Sequence, residues 1–329
     1  MNDTASLRRE NKKRIRSVMR DGEEYTKQQL AFRTGLSVST CNTLLNEMEE
    51  EREVVSEKKK LQEVGRTSAV FRMNEAYESS LCIWFEIILG KRHLNTYLLS
   101  QLGTILGKSE EIFDRIDQIR IEETIRDVFE KNSNIVRIMI GTPSLVDDGV
   151  IRHCDIPELE NVDLQGFLQK KFQVPVHMEN DMHYRAYGYY KAKGRPDGVL
   201  TLANFPAHIL PGTASIHKGE LISGHSGLAG MVGFLPFDFD RKKETELLDE
   251  KNGLPIIIKA VVSVIAVINP QRIVFTGDLL AEGLLAQLES ECKKFIPGEH
   301  MPEMCYEEDT NPYYLRGMYE KAMEIGGKW

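Results

Sequence analysis

Between Ser37 and Thr43 the chain sets Ser37, Ser39, Thr40, Asn42 and Thr43, five small polar side chains within seven positions. Hydroxyls and a carboxamide of this size can donate to and accept from base edges in the major groove of DNA. Arg33 upstream and Lys58, Lys59 and Arg66 downstream, with Lys12, Arg14 and Lys60 nearby in sequence, are cations suited to phosphate oxygens. Phosphate contacts fix register and orientation but carry no base information. The competing reading is a helical hairpin packed on the body, its lysines merely solvated.

The segment that must position these groups has a helix-turn-helix pattern. Residues 8 to 21 carry Ile15, Val18 and Met19 on one helical face. Thr26 with Gln29 three positions on resembles a capping box that opens a second helix, which stops near Gly35. Ser37 can cap a third helix, with Val38, Cys41, Leu45 and Met48 on one stripe and Ser39, Thr40, Asn42 and Thr43 facing out. The run "REVVSEKKKLQEVGRTSAVFRMN" then reads as two β-prone stretches around a charged tip, a hairpin or wing.

Charge supports the DNA reading. The chain has 329 residues and a formal charge of −8, yet residues 1 to 74 are net +3 and the remainder −11. An average that argues against non-specific coating of nucleic acid or anionic membrane thus conceals a basic end. The five cysteines, Cys41, Cys82, Cys154, Cys292 and Cys305, are scattered and never spaced as CxxC. That pattern predicts a reducing, cytoplasmic setting and neither a disulfide framework nor a thiolate zinc site. The basic N-terminus lacks an apolar stretch behind it, so no signal peptide is expected. The longest apolar run, Ile256 to Ile268, contains Lys259 and is too short to span a bilayer.

From about residue 79 the pattern changes. "SLCIWFEIIL", "HLNTYLLS" and "GTILG" read as strands, followed by an amphipathic helix expected from Ser109 to about Lys131. "NIVRIMIG" and "VPVHMEN" are further strands, with "LQGFLQKKF" a helix between them. "DGVLTLANF" and "TASIHKGELIS" restart the strand-rich pattern, followed by helix 244 to 267, strand "RIVFTG", helix 279 to 295 and a last helix around 313 to 325. Two meanders, each followed by alternating helices and strands, predict two α/β lobes of similar plan, with a ligand cleft between them.

"LAFRTGLSVSTCNTLLNEM" and "VGRTSAVFRMN" resemble the N-terminal domain of repressors in the ROK family, which joins repressors, uncharacterised frames and sugar kinases and includes xylose-repressor-like proteins. "GTPSLVDDGVIR", "ELENVDLQGFLQKKFQVPVHMENDMHYRAYG", "KGELISGHSGLAG" and "VINPQRIVFTGDLL" are similar to successive family blocks, so the resemblance covers nearly the full chain. It implies an α/β protein: a winged helix-turn-helix over residues 1–74, then a two-lobed, actin-like (ribonuclease H-like) sugar-kinase fold over 75–329. Lobe 1 would span about 75–195 plus the C-terminal helix at about 313–329, and lobe 2 about 196–312. It further implies a homodimer or homotetramer on a double-stranded operator.

The resemblance also assigns chemistry. In the family's sugar kinases an Asn-Asp pair at a strand end binds sugar hydroxyls, and the Asp serves as general base; here the pair is Asn180 and Asp181. Asp181 could equally be a helix cap. Asp155 stands where relatives tend to place a sugar-binding Asn. The rest of the catalytic set departs from the pattern. The first phosphate turn has Glu86 at best for its Asp; the second reads "ANFPAHILPGTASIHKG", where Pro206 and Pro211 remove donors and Ile209 and Leu210 add bulk. Met231 and Phe234 replace a sugar-gripping Glu and His, Asp278 replaces a glycine of the adenosine-side turn, and the zinc-knot cysteines are absent. Histidines 153, 177, 183, 208, 217 and 225 show no ligand spacing, and Tyr184, Tyr187, Tyr189 and Tyr190 read as helix packing more readily than as a pocket. The expectation is therefore a DNA-binding regulator, a repressor in outcome, with no catalytic activity, no metal and no cofactor, whose body dimerises and senses a sugar or other small molecule. The alternative is an active ATP-dependent sugar kinase with an appended DNA-binding domain.

Overall fold

The structure is a computed structural model that describes residues 4–60, 67–88, 91–154, 156–194 and 196–325. Its amino-terminal head comprises α1 (Thr4–Met19), β1 (Tyr25–Thr26), α2 (Lys27–Thr34), α3 (Val38–Glu50), β2 (Val54–Lys60) and β3 (Thr67–Met73). The expected capping box is formed: the Thr26 hydroxyl accepts from Gln29 N, and Gln29 Oε1 accepts from Thr26 N at 2.8 Å. Gly35 ends α2 in the left-handed region at φ +70°, where a Cβ would be strained, and Ser37 caps α3. The strands pair antiparallel in the order β1-β3-β2. Ile15, Met19, Leu30, Cys41, Leu44, Leu45, Met48 and Phe71 form the head's core. Leu44 takes the place on the buried stripe expected for Val38, which lies exposed at the first turn of α3.

The first lobe contains β4 (Ser79–Ile88), β5 (Lys91–Ser100), β6 (Ile105–Phe113), α4 (Gln118–Lys131), β7 (Ile135–Thr142), the short pair β8 (Leu145–Asp147) and β9 (Val150–Arg152), α5 (Leu164–Phe172), β10 (Val176–Asn180) and α6 (Asp181–Lys193). The second contains β11 (Val199–Asn204), β12 (Gly212–His217), β13 (Glu220–Leu221), α7 (Arg241–Leu247), α8 (Leu254–Ile268), β14 (Arg272–Thr276), α9 (Leu285–Cys292) and β15 (Glu303–Tyr306). α10 (Asn311–Ile325) follows. The two five-stranded sheets run β10-β7-β4-β5-β6 and β13-β12-β11-β14-β15. Each joins an antiparallel meander to parallel strands, so the repeated plan expected from the sequence is present.

Three helix boundaries differ from expectation. The stretch from Ser109 is not helical: it continues β6 to Phe113 as an edge strand hydrogen-bonded to β5, and α4 begins only after the Asp117 carboxylate accepts from Ile119 N and Arg120 N. Edge pairing outweighs the local helical period there. The helix expected at 244 to 267 is two, because Asp249 holds a turn through Lys251 N and Asn252 N before Gly253 and Pro255 restart the chain. The helix expected at 279 to 295 is shortened to α9 behind a 3₁₀ turn at Glu282–Leu284.

α6 and α10 lie against each other between the two sheets. Tyr184, Tyr314 and Met318 pack with Cys82, Trp84 and Met139 of the first sheet, while Met182, Tyr187, Tyr190 and Tyr313 pack with Leu200, Leu202 and Ile216 of the second. The tyrosines of α6 are thus packing residues. The helices approach through glycine: a Cβ on Gly188 would stand 1.8 Å from Tyr313 O, and one on Gly317 1.9 Å from Tyr184 O.

Candidate nucleic-acid interface and interlobe cleft

In the head, α3 buries Cys41, Leu44, Leu45 and Met48 and presents Val38, Ser39, Thr43 and Asn46 to solvent. Of the residues singled out from sequence, Ser39 and Thr43 are exposed one above the other, with Thr43 Oγ1 donating to Ser39 O at 3.2 Å. Ser37 is exposed but engaged as the cap, accepting from Thr40 N at 3.0 Å and meeting Thr40 Oγ1 at 2.8 Å. Thr40 is half-buried. Asn42 is half-buried too, its Oδ1 accepting from Lys27 Nζ. Arg33 is exposed, with its guanidinium 5.0 Å from the Tyr25 ring centroid. Lys58 is exposed, whereas Lys59 pairs with Glu24 at 2.7 Å, and that hydrogen bond raises the lysine's pKa. Arg66 lies outside the described residues. Asn46 was missed in the sequence although its spacing, three residues after Thr43 and seven after Ser39, puts it on the same face.

Three basic residues of α1, Arg8, Lys12 and Arg16, do another task. Arg8 pairs with Glu47, and Lys12 reaches Glu51 at 2.8 Å, so two cations of the N-terminal cluster offset the acidic C-terminal end of α3. Arg16 is buried and donates to the buried Glu53 through Nη2 at 2.9 Å. The head is moored to the body beside this pair. Gln101 Nε2 donates to Glu53 O and Asn74 O, Leu102 packs on the head's core, and Tyr319 OH of α10 donates to Gln101 O at 3.0 Å.

The interlobe cleft is lined by Asn180 and Asp181 with Pro206, Ile209, Leu210, Pro211, Met231, Phe234 and Arg241. Its free volume is about 100 Å³, below the 300–1,000 Å³ usual for small-molecule sites. Asn180, not Asp181, caps α6: its Oδ1 accepts from Met182 N at 2.9 Å while its Nδ2 donates to Ser144 O at 3.1 Å. Asp181 is the first helical residue, and its carboxylate accepts from Met182 N at 2.8 Å. Burial pushes this carboxyl above the ordinary range, offset in part by Arg185, whose Nε stands 3.9 Å away. Asp155 lies outside the described residues.

Arg185 occupies the ground between the lobes. It donates to Asn311 Oδ1 at 2.8 Å and Thr310 Oγ1 at 3.0 Å, stands 3.4 Å from Glu86 and lies 4.5 Å from the Tyr314 ring centroid. Glu86, which the sequence resemblance offered for the first phosphate turn's carboxylate, is therefore already paired with a cation. In the stretch that the sequence resemblance offered for the second turn, Ala207 N donates to the Asp278 carboxylate at 3.3 Å, and His208 N to Leu248 O at 2.8 Å. Nothing in the sequence announced the Arg185–Glu86 contact, which joins residues 99 positions apart. Phe234 is clasped by Arg241, 4.1 Å from its centroid, and by the His153 ring at 5.4 Å. Among the described residues no group of three His, Cys, Asp or Glu side chains is set to hold a metal, and no helix is long and apolar enough to cross a membrane.

Residues 87–246 match the family model described as ROK family. The chain is 23% identical over 250 residues to the xylose repressor of Caldicellulosiruptor bescii, an alignment covering 73% of this chain and 61% of that protein. It is 24% identical over 248 residues to the xylose repressor of Bacillus subtilis, covering 73% and 64%. The chain thus spans less than two thirds of the repressors it matches. Among solved structures, a ROK family transcriptional regulator described as a homolog of the E. coli MLC protein superposes with a TM-score of 0.70 at 16% identity, covering 97% of this chain and 98% of that one. The ROK hexokinase of Thermus thermophilus superposes with a TM-score of 0.59 at 16% identity, covering 75% of this chain and all of the other. The body therefore has the two-lobed, actin-like α/β fold shared by ROK repressors and sugar kinases.

Proposed function

For a chain that carries a ROK family domain, we propose the function of a DNA-binding transcriptional repressor whose kinase-like body pairs two copies and does not phosphorylate. The division is a head at 1–74 and a body at 75–329. The observation that carries the reading is the outer face of α3. Ser39, Thr43 and Asn46 stand clear of the core beside the capped N-terminus, while the acidic C-terminal end of the helix is offset by α1. N-terminal residues of a recognition helix are the ones that meet base edges, and dimers set two such helices about 34–36 Å apart on successive grooves.

The loss of kinase activity is supported by the cleft. A phosphoryl-transfer site needs free backbone donors around the phosphates and a carboxylate for the metal. Here Pro206 and Pro211 have no N–H, Ala207 N is turned to Asp278, and Glu86 is held by Arg185. Asn180 and Asp181 remain as groups for a sugar or other small effector, whose differential affinity for two arrangements of the lobes would shift operator binding reciprocally. The structural kinship with hexokinase keeps the rival kinase reading testable.

In vitro selection of duplex DNA by the full-length protein tests the principal reading: enrichment of a paired half-site motif is the expected result, and a pool with no enriched sequence overturns it. A coupled assay showing sugar-dependent ATP turnover would establish the rival.

A further inference from the structure

The face of α3 carries one side chain that the fold does not account for. Val38 is the first helical residue, 47% exposed, while the head's core closes without it around Cys41, Leu44, Leu45 and Met48. A valine in a helix has essentially one χ1 rotamer, so its two methyl groups are held in a fixed direction with little entropy left to lose. One turn on, at the i+4 position and therefore its neighbour on the helix surface, is Asn42. The Oδ1 of Asn42 accepts from Lys27 Nζ, while its amide Nδ2 is neither bonded to a described residue nor among the buried unsatisfied atoms, and so is available as a donor.

A free asparagine suits adenine, where it accepts from N6 and donates to N7; one whose oxygen already accepts from a lysine has a single lone pair left for N6 and is the weaker partner for that pair, while its donor is undiminished. A donor beside an apolar surface matches a different edge. Thymine presents an O4 acceptor next to its C5-methyl group in the major groove, a combination no other base offers. We propose that Val38 and Asn42 together read a thymine in each half-site, the valine methyls against the C5-methyl and the Asn42 amide on O4, with Lys27 as the positioning residue that holds the carboxamide in its donor orientation. The assignment rests on the DNA-binding reading above and names the base that this part of the interface selects.

The test replaces each thymine of the selected duplex in turn by deoxyuridine, which removes the methyl group and keeps O4, and measures binding by the full-length protein. One thymine per half-site is expected to lose about fourfold in affinity, the worth of one buried methyl. Val38→Ala, at an exposed position where alanine is the better helix former, is expected to bind the thymine duplex about fourfold more weakly and to show no further loss with deoxyuridine. Asn42→Ala is expected to keep the deoxyuridine penalty while losing the preference for thymine over cytosine, whose N4 is a donor, at that position. A flat deoxyuridine scan on a duplex that is bound selectively, or an undiminished penalty in Val38→Ala, overturns this assignment and leaves the DNA-binding reading standing. Failure to select any duplex removes both.

Discussion

Glu244 on α7 offers a quantitative test of the second lobe. The residue is 2% exposed, its Oε1 has no hydrogen-bond partner, and burial pushes its pKa up to about 7 despite the nearby Arg241. The ordinary value is 4.5, so the native protein holds this proton across a window in which the unfolded chain has released it. Stability is therefore expected to fall as pH rises from about 4.5 to about 7 and to level off above, the reverse of the behaviour of a salt-bridged carboxylate. A difference of one pH unit between the folded and unfolded pKa corresponds to about 1.36 kcal/mol, which makes the loss across this window about 3 kcal/mol. Glu244→Gln removes the ionisation and keeps the shape. Denaturant unfolding of both proteins, followed by circular dichroism at several values between pH 4.5 and pH 8, should give curves that lie close together at the acid end and diverge by about 3 kcal/mol in favour of the variant at the alkaline end. Parallel stability profiles for the two proteins would refute the argument that the buried Glu244 carboxyl, with its unsatisfied Oε1, is responsible.

Other consequences are open to direct measurement. Ser39→Ala with Thr43→Ala should weaken binding to a selected operator by one to two orders of magnitude, at about 1 kcal/mol for each hydrogen bond removed, with helix content by circular dichroism unchanged; unaltered binding isotherms would place the interface elsewhere. Lys58→Ala should weaken all duplexes alike and lower the slope of log affinity against log salt by about 0.9 for each phosphate the lysine neutralises, whereas a sequence-dependent effect would assign Lys58 to base reading. Gly188→Ala puts a Cβ 1.8 Å from Tyr313 O and should lower the thermal midpoint by several degrees, as expected for overpacking of about 1–3 kcal/mol; a midpoint within a degree of the wild type would show that the helices can separate freely. A thermal-shift screen of sugars should stabilise the wild type more than Asp181→Ala, and equal shifts would remove Asp181 from the cleft's ligand set.

Much of the head was legible in the sequence because its signals are local. The Thr26–Gln29 box, Gly35 and Ser37 act over three or four residues, and each forms the contact its chemistry allows. Legibility failed where a distant partner decides. "SEEIF" has no local reason to be a strand, and it becomes one because β5 offers an edge. Val38 has the apolar character of a core residue, but at the first turn of α3 the core has already closed. In the cleft, "END" advertised its strand end correctly, yet the division of labour, with Asn180 capping and Asp181 left to Arg185, depends on where α10 brings Thr310 and Asn311. The fold repeat could be read from strand spacing. The pairing of Glu86 with Arg185 could not, because it is a property of the assembled lobes.

The glycine crossing of α6 and α10 also bears on how the protein is made. Gly317 is synthesised well over a hundred residues after Gly188, so at roughly 5–20 residues per second the tyrosines of α6 spend on the order of ten seconds without their helical partner. During that interval a sticky aromatic surface is open to its surroundings while the amino-terminal head can already be folded. Holding chaperones thus have an obvious target in the nascent chain, and of the Gln101, Leu102 and Tyr319 contacts that moor the head, the Tyr319 bond to Gln101 is the last to form.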